Sequence, residues 1–393
     1  MTPAAPPVAA CPSIRQLAPF AGYYFFYFAF VGVLSPYWGL YLQSLDFSPW
    51  QISVLTALSM AARVAAPASC GWLADRRGER RGLIRGLSLL AMLAFAGTLF
   101  THDFWLLFGV LSCAFFFWAG TLPLVEASTL DLTAATPGRY SRVRLWGSIG
   151  FVVLTLAVGG WLKVASLASL PAILCATLLA AFLCALTLPL APIHRVSPAL
   201  PTASAAVSRG AVGVIFAVSF LMLAAHGSYY TFYSIGLRQH GYSADAIGGM
   251  WAVGVLCEVA VFWAMPSLAR RVSLPQLLRF SLLMAVLRFG LMAAFPQALG
   301  VMVFAQTLHA FTFATFHTAS VGLVHRYFPA HLQSRGQGLY IVFSYGAGGT
   351  VGSLLAGTVW AQGGMAAVFW PAAGAAAVAW LLAWWGIAPL ARQ

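Results

Sequence analysis

Thirteen residues, Gly71-Trp-Leu-Ala-Asp-Arg-Arg-Gly-Glu-Arg-Arg-Gly-Leu83, hold six charged side chains, and Arg85 follows at once. Long apolar segments lie on both sides. Charge this dense is not tolerated in hydrocarbon, so the stretch reads as a tight aqueous hairpin joining two membrane spans. Only 7% of the 393 residues are charged and 61% are hydrophobic. A soluble core of this length needs far more polar surface. The expected class is an all-α polytopic membrane protein. At roughly 20 residues per span plus short loops, there is room for about twelve spans.

The formal charge of +13 invites a nucleic-acid reading, and its distribution rejects it. Of the 21 basic residues, Lys163 is the sole lysine. With both termini cytoplasmic, the outer loops hold only Lys163 and Arg238, Arg63 and Arg288 lie inside spans, and the remaining arginines sit on the inside. That asymmetry is a topology signal. No basic soluble domain with interleaved aromatics exists to hold nucleic acid. The six cysteines are scattered without a CxxC, which argues against a disulfide framework or a zinc site. The histidines lack HxxxH-type spacing, so no metal and no cofactor is expected. No GxSxG, P-loop or HExxH is present, so enzyme chemistry has no motif to rest on.

Along the chain, spans are expected at about 17–42, 48–74, 83–100, 104–136, 140–163 and 167–190. A second set falls at about 211–237, 245–268, 275–294, 297–327, 337–361 and 365–388. Pro123 is expected to kink span 4 without ending it, and Pro137-Gly138 is the first strong breaker. The segment 191–210 is rich in proline, serine and alanine and reads as a cytoplasmic linker between two six-helix bundles, 1–190 and 211–393. The halves repeat weakly. Leu73-Ala74 maps to Leu268-Ala269 at an offset of 195, and Ser141-Arg142 is matched by Ser334-Arg335. Two bundles related by an axis along the membrane normal account for this.

Ionisable groups inside spans are costly, so each is a functional candidate. Arg63 lies near the middle of span 2. Adding 195 gives Glu258 in span 8, so opposite charges occupy matching places in the two halves. Both are expected to face a central cavity; a structural tether is the plainer alternative. Glu126 in span 4 and Arg144 at the start of span 5 are placed to pair. His309 lies at nearly the depth of Glu258, and imidazole titrates near neutral pH, so the two can exchange a proton. Arg288, His226 and His317 complete the in-span set, although a lone membrane histidine often serves only packing. Tyr230 belongs to an aromatic run that can stack on a ring or simply pack.

The pattern G-x-L-A-D-R-x-G-x-R-x-x-L at Gly71–Leu83 resembles the signature loop of the major facilitator superfamily, with Glu79 where that family usually has a basic residue. The segments His226–Ile235, Trp251–Glu258, Leu308–His317 and Val143–Ser148 resemble the phenylpropionate permease family within it. That resemblance covers essentially the whole chain and implies proton-coupled import, with 3-phenylpropionate as the name-giving substrate. The chain is more distantly similar to lactose-permease-like proton symporters. That likeness implies sugar-binding roles at Glu126 and Arg144, ring stacking at Phe151 (tryptophan in the family), and a coupling group at Glu258, Arg288 and His309. It also implies a carboxylate one turn after the histidine, where this chain has Thr312.

The expected protein is a secondary transporter working by alternating access. Arg63, Glu126, Arg144, Phe151, His226 and Tyr230 are assigned to substrate, and Glu258, Arg288, His309 and His317 to proton coupling. Gly71, Asp75, Arg76, Gly78 and Arg80 form the gating loop. Expected partners are a small-molecule substrate, protons and the lipid bilayer of a bacterial-type inner membrane, with the chain a monomer. Counting Arg144 with span 5, three in-span arginines face two glutamates, an excess that a monocarboxylate neutralises. Sugar or nucleoside symport is the nearest alternative, then drug efflux. Span 5 lacks the Gly-Pro element usual in the antiporters, which favours symport. A non-transporting membrane receptor is the alternative from another class.

Overall fold

The computed structural model describes residues 13–134, 136, 138–190, 209–329 and 332–387. Among these the chain is almost wholly helical, with no strand. The helices are α1 (Ile14–Ser44), α2 (Pro49–Arg77), α3 (Arg81–Ala96), α4 (Phe104–Thr133), α5 (Arg139–Trp161), α6 (Leu170–Thr187), α7 (Arg209–Gln239), α8 (Ala244–Leu268), α9 (Leu274–Ala294) and α10 (Leu299–Tyr327). The last helical stretch, Gln333–Ile387, has 55 residues, too many for one crossing. It breaks at Gly363 and Gly364, and the latter has φ +56°, a left-handed conformation that favours glycine. The break makes two spans, α11 (333–362) and α12 (365–387). The twelve-span all-α fold is thus as the composition dictates. Of the expected linker 191–210, residues 191–208 lie outside the described residues, and α7 is already under way at Arg209.

Local chemistry starts and stops these helices. Ser48 accepts from the Gln51 amide at 3.3 Å and Gln51 Oε1 accepts from the Ser48 amide at 2.9 Å, a reciprocal cap ahead of Pro49 at the first helical position. Asp103 Oδ1 accepts from the Trp105 and Leu106 amides, both at 2.9 Å, and opens α4. The charged stretch at Gly71–Leu83 corrects one expectation. It is not a hairpin along its length, because α2 runs on to Arg77. Only Gly78-Glu79-Arg80 form the turn, with Gly78 at φ +66° as the left-handed cap. Glu79 has a structural role here: its Oε1 accepts from the Gly82 amide at 2.9 Å, capping the positive end of α3.

Two close helix crossings carry the internal repeat. Where α1 crosses α5, Gly150 faces the Phe25 carbonyl and Gly32 faces the Phe151 carbonyl. Where α7 crosses α11, Gly348 faces the Phe220 carbonyl and Gly227 the Gly349 carbonyl. In lipid, small residues at such crossings let backbones approach, and a Cβ at any of the four would meet backbone atoms. From Phe25 to Phe220 and from Gly32 to Gly227 the offset is 195; from Gly150 to Gly348 and from Phe151 to Gly349 it is 198. Ser141-Arg142 and Ser334-Arg335 are 193 apart. They therefore miss the structural register by five residues, more than one turn, and are not equivalent. A π-helical segment at Val342–Gly348 sits between them and the crossing in α11.

The halves meet near one end of the molecule and again at mid-helix, where Val64 of α2 lies against Gly346 of α11. Tyr37, near the end of α1, donates to the Thr155 carbonyl of α5 at 2.7 Å, and its hydroxyl lies within 3.4 Å of the Ala244 carbonyl that opens α8. Lys163 and Asp245 close the same seam as an ion pair at 2.6 Å. On the other side, Thr56 of α2 donates to Thr231 of α7 at 3.3 Å. Thr231 and Ser353 of α11 share a bond at 2.7 Å, and Ser353 donates to the Ser53 carbonyl at 3.1 Å. These polar contacts all lie toward the α1–α2, α5–α6 and α7–α8 turns.

Candidate functional site

Away from that seam, ionisable side chains lie within the helices, Arg144 at the sixth residue of α5 and Glu126 seven residues before the end of α4. Arg144 Nε is 3.5 Å from Glu126 Oε1, and the two side chains keep 31% and 34% of their surface accessible. An ion pair about two turns inside two spans and one third accessible is costly if it faces lipid, so the geometry argues for a wet path. The Arg144 guanidinium lies 4.1 Å from the centre of the Phe28 ring and 5.4 Å from that of Tyr24, both on α1. Gly147, one turn on, makes this seat possible: a Cβ there would lie 2.7 Å from Phe28 and 2.9 Å from Arg144 Nη1.

The second half is built differently. Glu258 Oε2 on α8 is 3.7 Å from His309 Nε2 on α10, with 19% and 7% of their side chains accessible. Behind them Arg288 on α9 is fully buried. Its Nη1 donates to Thr312 Oγ1 at 3.2 Å and lies 3.4 Å from His226 Nε2, while Nη2 donates to Gln306 Oε1 at 3.3 Å. Its guanidinium is 4.2 Å from the centre of the Tyr229 ring. His226 Nδ1 is fixed by the Met222 carbonyl at 2.9 Å. Every hydrogen-bond partner of this arginine is a neutral group or a histidine. Removing one such partner strands buried polar atoms, so the network is a rigid unit.

A column of rings leads out of this network. Phe313 lies 5.7 Å from His309 and 6.4 Å from His317, and His317 Nδ1 is 3.1 Å from the Tyr345 hydroxyl on α11. Positions 309, 313 and 317 share one face of α10, even though a π-helical turn occupies Phe311–Thr315. Arg63 on α2 completes the column from the opposite half, its guanidinium 6.0 Å from the centre of the Tyr345 ring. Tyr230 is half-buried and stacks on Trp251 at 6.0 Å.

Other expected site residues lie elsewhere. Phe151 is buried in the first-half core at the α1–α5 crossing. In the signature loop Asp75 is exposed, Gly71 has open space around its Cα, and Arg76 lies over the Trp72 ring at 4.9 Å. Arg80 is the loop residue that ties down, pairing with Asp131 near the end of α4. Sequence reasoning missed Gln306, Tyr229 and Tyr345 as site residues. Gln306 is three residues before His309 and so on its helix face, a signal that was available. Tyr345 gave none, because its partners come from α10 and from the other half. Among the described residues no three His, Cys, Asp or Glu side chains cluster closely enough to hold a metal ion.

Comparison with known proteins adds to this geometry. The model of the MFS_1 like family matches residues 17–371. The chain is 30% identical over 357 residues to the "Probable 3-phenylpropionic acid transporter" of Escherichia coli K12, covering 89% of this chain and 90% of that one. A shorter match to the maltose permease of Geobacillus stearothermophilus is 32% identical over 147 residues, 36% of each chain. In fold, the chain resembles the crystal structure of a point mutant of the nucleoside transporter NupG, with TM-score 0.82 and 18% identity, over 94% of this chain and 99% of that one.

Proposed function

The chain belongs to the MFS_1 like family of the major facilitator superfamily, and on that premise we propose that it imports a small organic monocarboxylate together with protons. It is an integral membrane transporter of a small molecule. The proposed substrate is an aromatic acid such as 3-phenylpropionate, in line with the relative that shares 30% identity. The proposed mechanism is alternating access, with the halves 1–190 and 211–393 rocking about the mid-helix charges as a monomer in a bacterial-type inner membrane, both termini cytoplasmic. With that orientation the seam of Tyr37, Lys163 and Asp245 closes the outer side, and the Glu126–Arg144 pair opens inward.

One observation carries this reading. The Glu258 and His309 side chains, 3.7 Å apart, form one carboxylate–imidazole pair within the spans, and Glu126 and Arg144 form a second, more accessible pair at 3.5 Å. Groups that can exchange a proton and groups that can hold an anion are thus both placed inside the spans. We assign Glu258, His309 and Arg288 to coupling, with His317 beside them, and Arg63, Glu126, Arg144 and Tyr230 to orienting substrate; His226, expected at the substrate, is instead buried against Met222 and Arg288 and belongs to the coupling network. Phe151, buried between α1 and α5, supports that site from behind. Thr312, which accepts from Arg288, leaves Glu258 as the carboxylate of the coupling group.

The test is substrate-driven proton flux in vesicles reconstituted with the purified chain. 3-Phenylpropionate added outside is expected to move protons inward and to accumulate when a pH gradient is imposed. Accumulation without proton movement removes the coupling assignment. Proton movement with a nucleoside or a sugar, and none with the acid, replaces the substrate.

A further inference from the structure

We propose that Arg63, not Arg144, is the residue that receives the substrate's carboxylate, with the Tyr345 hydroxyl as its second donor; this rests on the monocarboxylate reading above. Three arginines stand around the space between the halves, and their surroundings differ. Arg288 is fully buried, its guanidinium taken up by Thr312, Gln306, His226 and the face of Tyr229, so no solute reaches it in this state. Arg144 already has a carboxylate at 3.5 Å, Glu126, and the Phe28 ring at 4.1 Å. A second anion there would have to displace Glu126 or share its cation.

Arg63 has neither arrangement. It is half-buried at the fifteenth position of α2, roughly 20 Å into the helix at ~1.5 Å per residue. Among the described residues no carboxylate lies within ion-pair distance of it. Its neighbour is the Tyr345 ring at 6.0 Å, the outer limit of a cation–π contact. An uncompensated guanidinium at that depth is expensive, and a bound carboxylate compensates it with a two-pronged, charge-assisted contact. Tyr345 is poised to add to it. Its hydroxyl is bonded to His317 Nδ1 at 3.1 Å. When that nitrogen carries hydrogen, the hydroxyl accepts from it and turns its own hydrogen to the carboxylate. Arg63 and Tyr345 come from opposite halves, so an acid held by both also draws the halves together. A neutral amide of the same shape offers one carbonyl acceptor and no charge, so it gains neither the two-pronged nor the charge-assisted contact.

The experiment measures binding of 3-phenylpropionate and of its neutral amide, 3-phenylpropanamide, to the purified full-length protein by thermal shift and by competition. Wild type is expected to bind the acid at least about tenfold more tightly than the amide. Arg63→Gln is expected to lose that preference, the acid weakening at least about tenfold and the amide changing less than about twofold. Arg144→Gln is expected to weaken both ligands together. Arg63→Lys and Tyr345→Phe keep the charge and the ring respectively, and guard against a misfolded Gln variant. Each is expected to reduce the acid-over-amide ratio about threefold or more. An undiminished ratio in Arg63→Gln, or in both guard variants, overturns the inference, as does loss of the ratio in Arg144→Gln alone. A wild type that binds neither ligand overturns the monocarboxylate reading instead, which is a different failure.

Discussion

The two halves share a backbone plan and handle charge in opposite ways. In the first half, Glu126 and Arg144 form a loose, half-exposed pair at 3.5 Å, seated on aromatic faces. In the second, Arg288 is sealed among Thr312, Gln306, His226 and Tyr229, with Glu258 and His309 paired in front of it and His317 and Tyr345 reaching toward Arg63. An exposed pair is weakly held and can exchange partners. A buried network is stiff, because each polar atom depends on the next. The contrast fits a division in which one half grips a changing solute and the other holds a proton site in fixed geometry.

The largest expected effect is at Glu258. A Glu258→Gln protein should lose accumulation driven by a pH gradient by about a hundredfold or more while still exchanging labelled for unlabelled 3-phenylpropionate. Accumulation at the wild-type level would break the division, since the coupling carboxylate would then lie elsewhere. Next comes Arg288→Ala, which strands several buried polar atoms at about 1–3 kcal/mol each. Its melting temperature should fall well below that of Arg144→Ala, whose half-exposed pair is worth no more than about 1 kcal/mol. Equal destabilisation by the two would mean that the halves are not built differently after all.

Gly147→Val tests the first-half seat more gently. Its Cβ would press on Phe28 and on Arg144 Nη1, at 2.7 and 2.9 Å before any added methyl groups. Apparent substrate affinity should drop about tenfold, with substrate-independent proton leak unchanged; a rise in leak would couple the two regions more tightly than proposed. The smallest effect is expected at the seam. Lys163→Gln removes an exposed ion pair to Asp245, worth under about 1 kcal/mol. It should raise labelling of a cysteine introduced beside the seam by a few-fold at most.

Much of the fold could be read from the residues. Apolar runs set the spans, the crowded charges around Asp75 and Arg80 set a turn, and Gly363-Gly364 separates the last two spans. The depth of Glu258 and His309 could also be read, because depth is a count of residues at a fixed rise. What could not be read was azimuth, the direction in which a side chain leaves its helix. The π-helical turns at Phe311–Thr315 and Val342–Gly348 interrupt regular α-helix in α10 and α11, and no sequence offset shows them. Azimuth is why Tyr345 gave no signal; the Ser141-Arg142 match, at an offset of 193, simply falls outside the register of the crossings.

The sequence by itself determined that this chain lives in a membrane, crosses it about twelve times and carries a few charges inside its spans. Those facts follow from transfer energies, which depend on composition and length alone. Only the tertiary structure decided which charges are partnered. Among the described residues, Arg144 received Glu126, Arg288 received neutral groups and a histidine, and Arg63 received the face of a tyrosine from the other half and no carboxylate. Partnership is settled by distances of a few ångströms between helices far apart in the chain, and that is information no single segment contains.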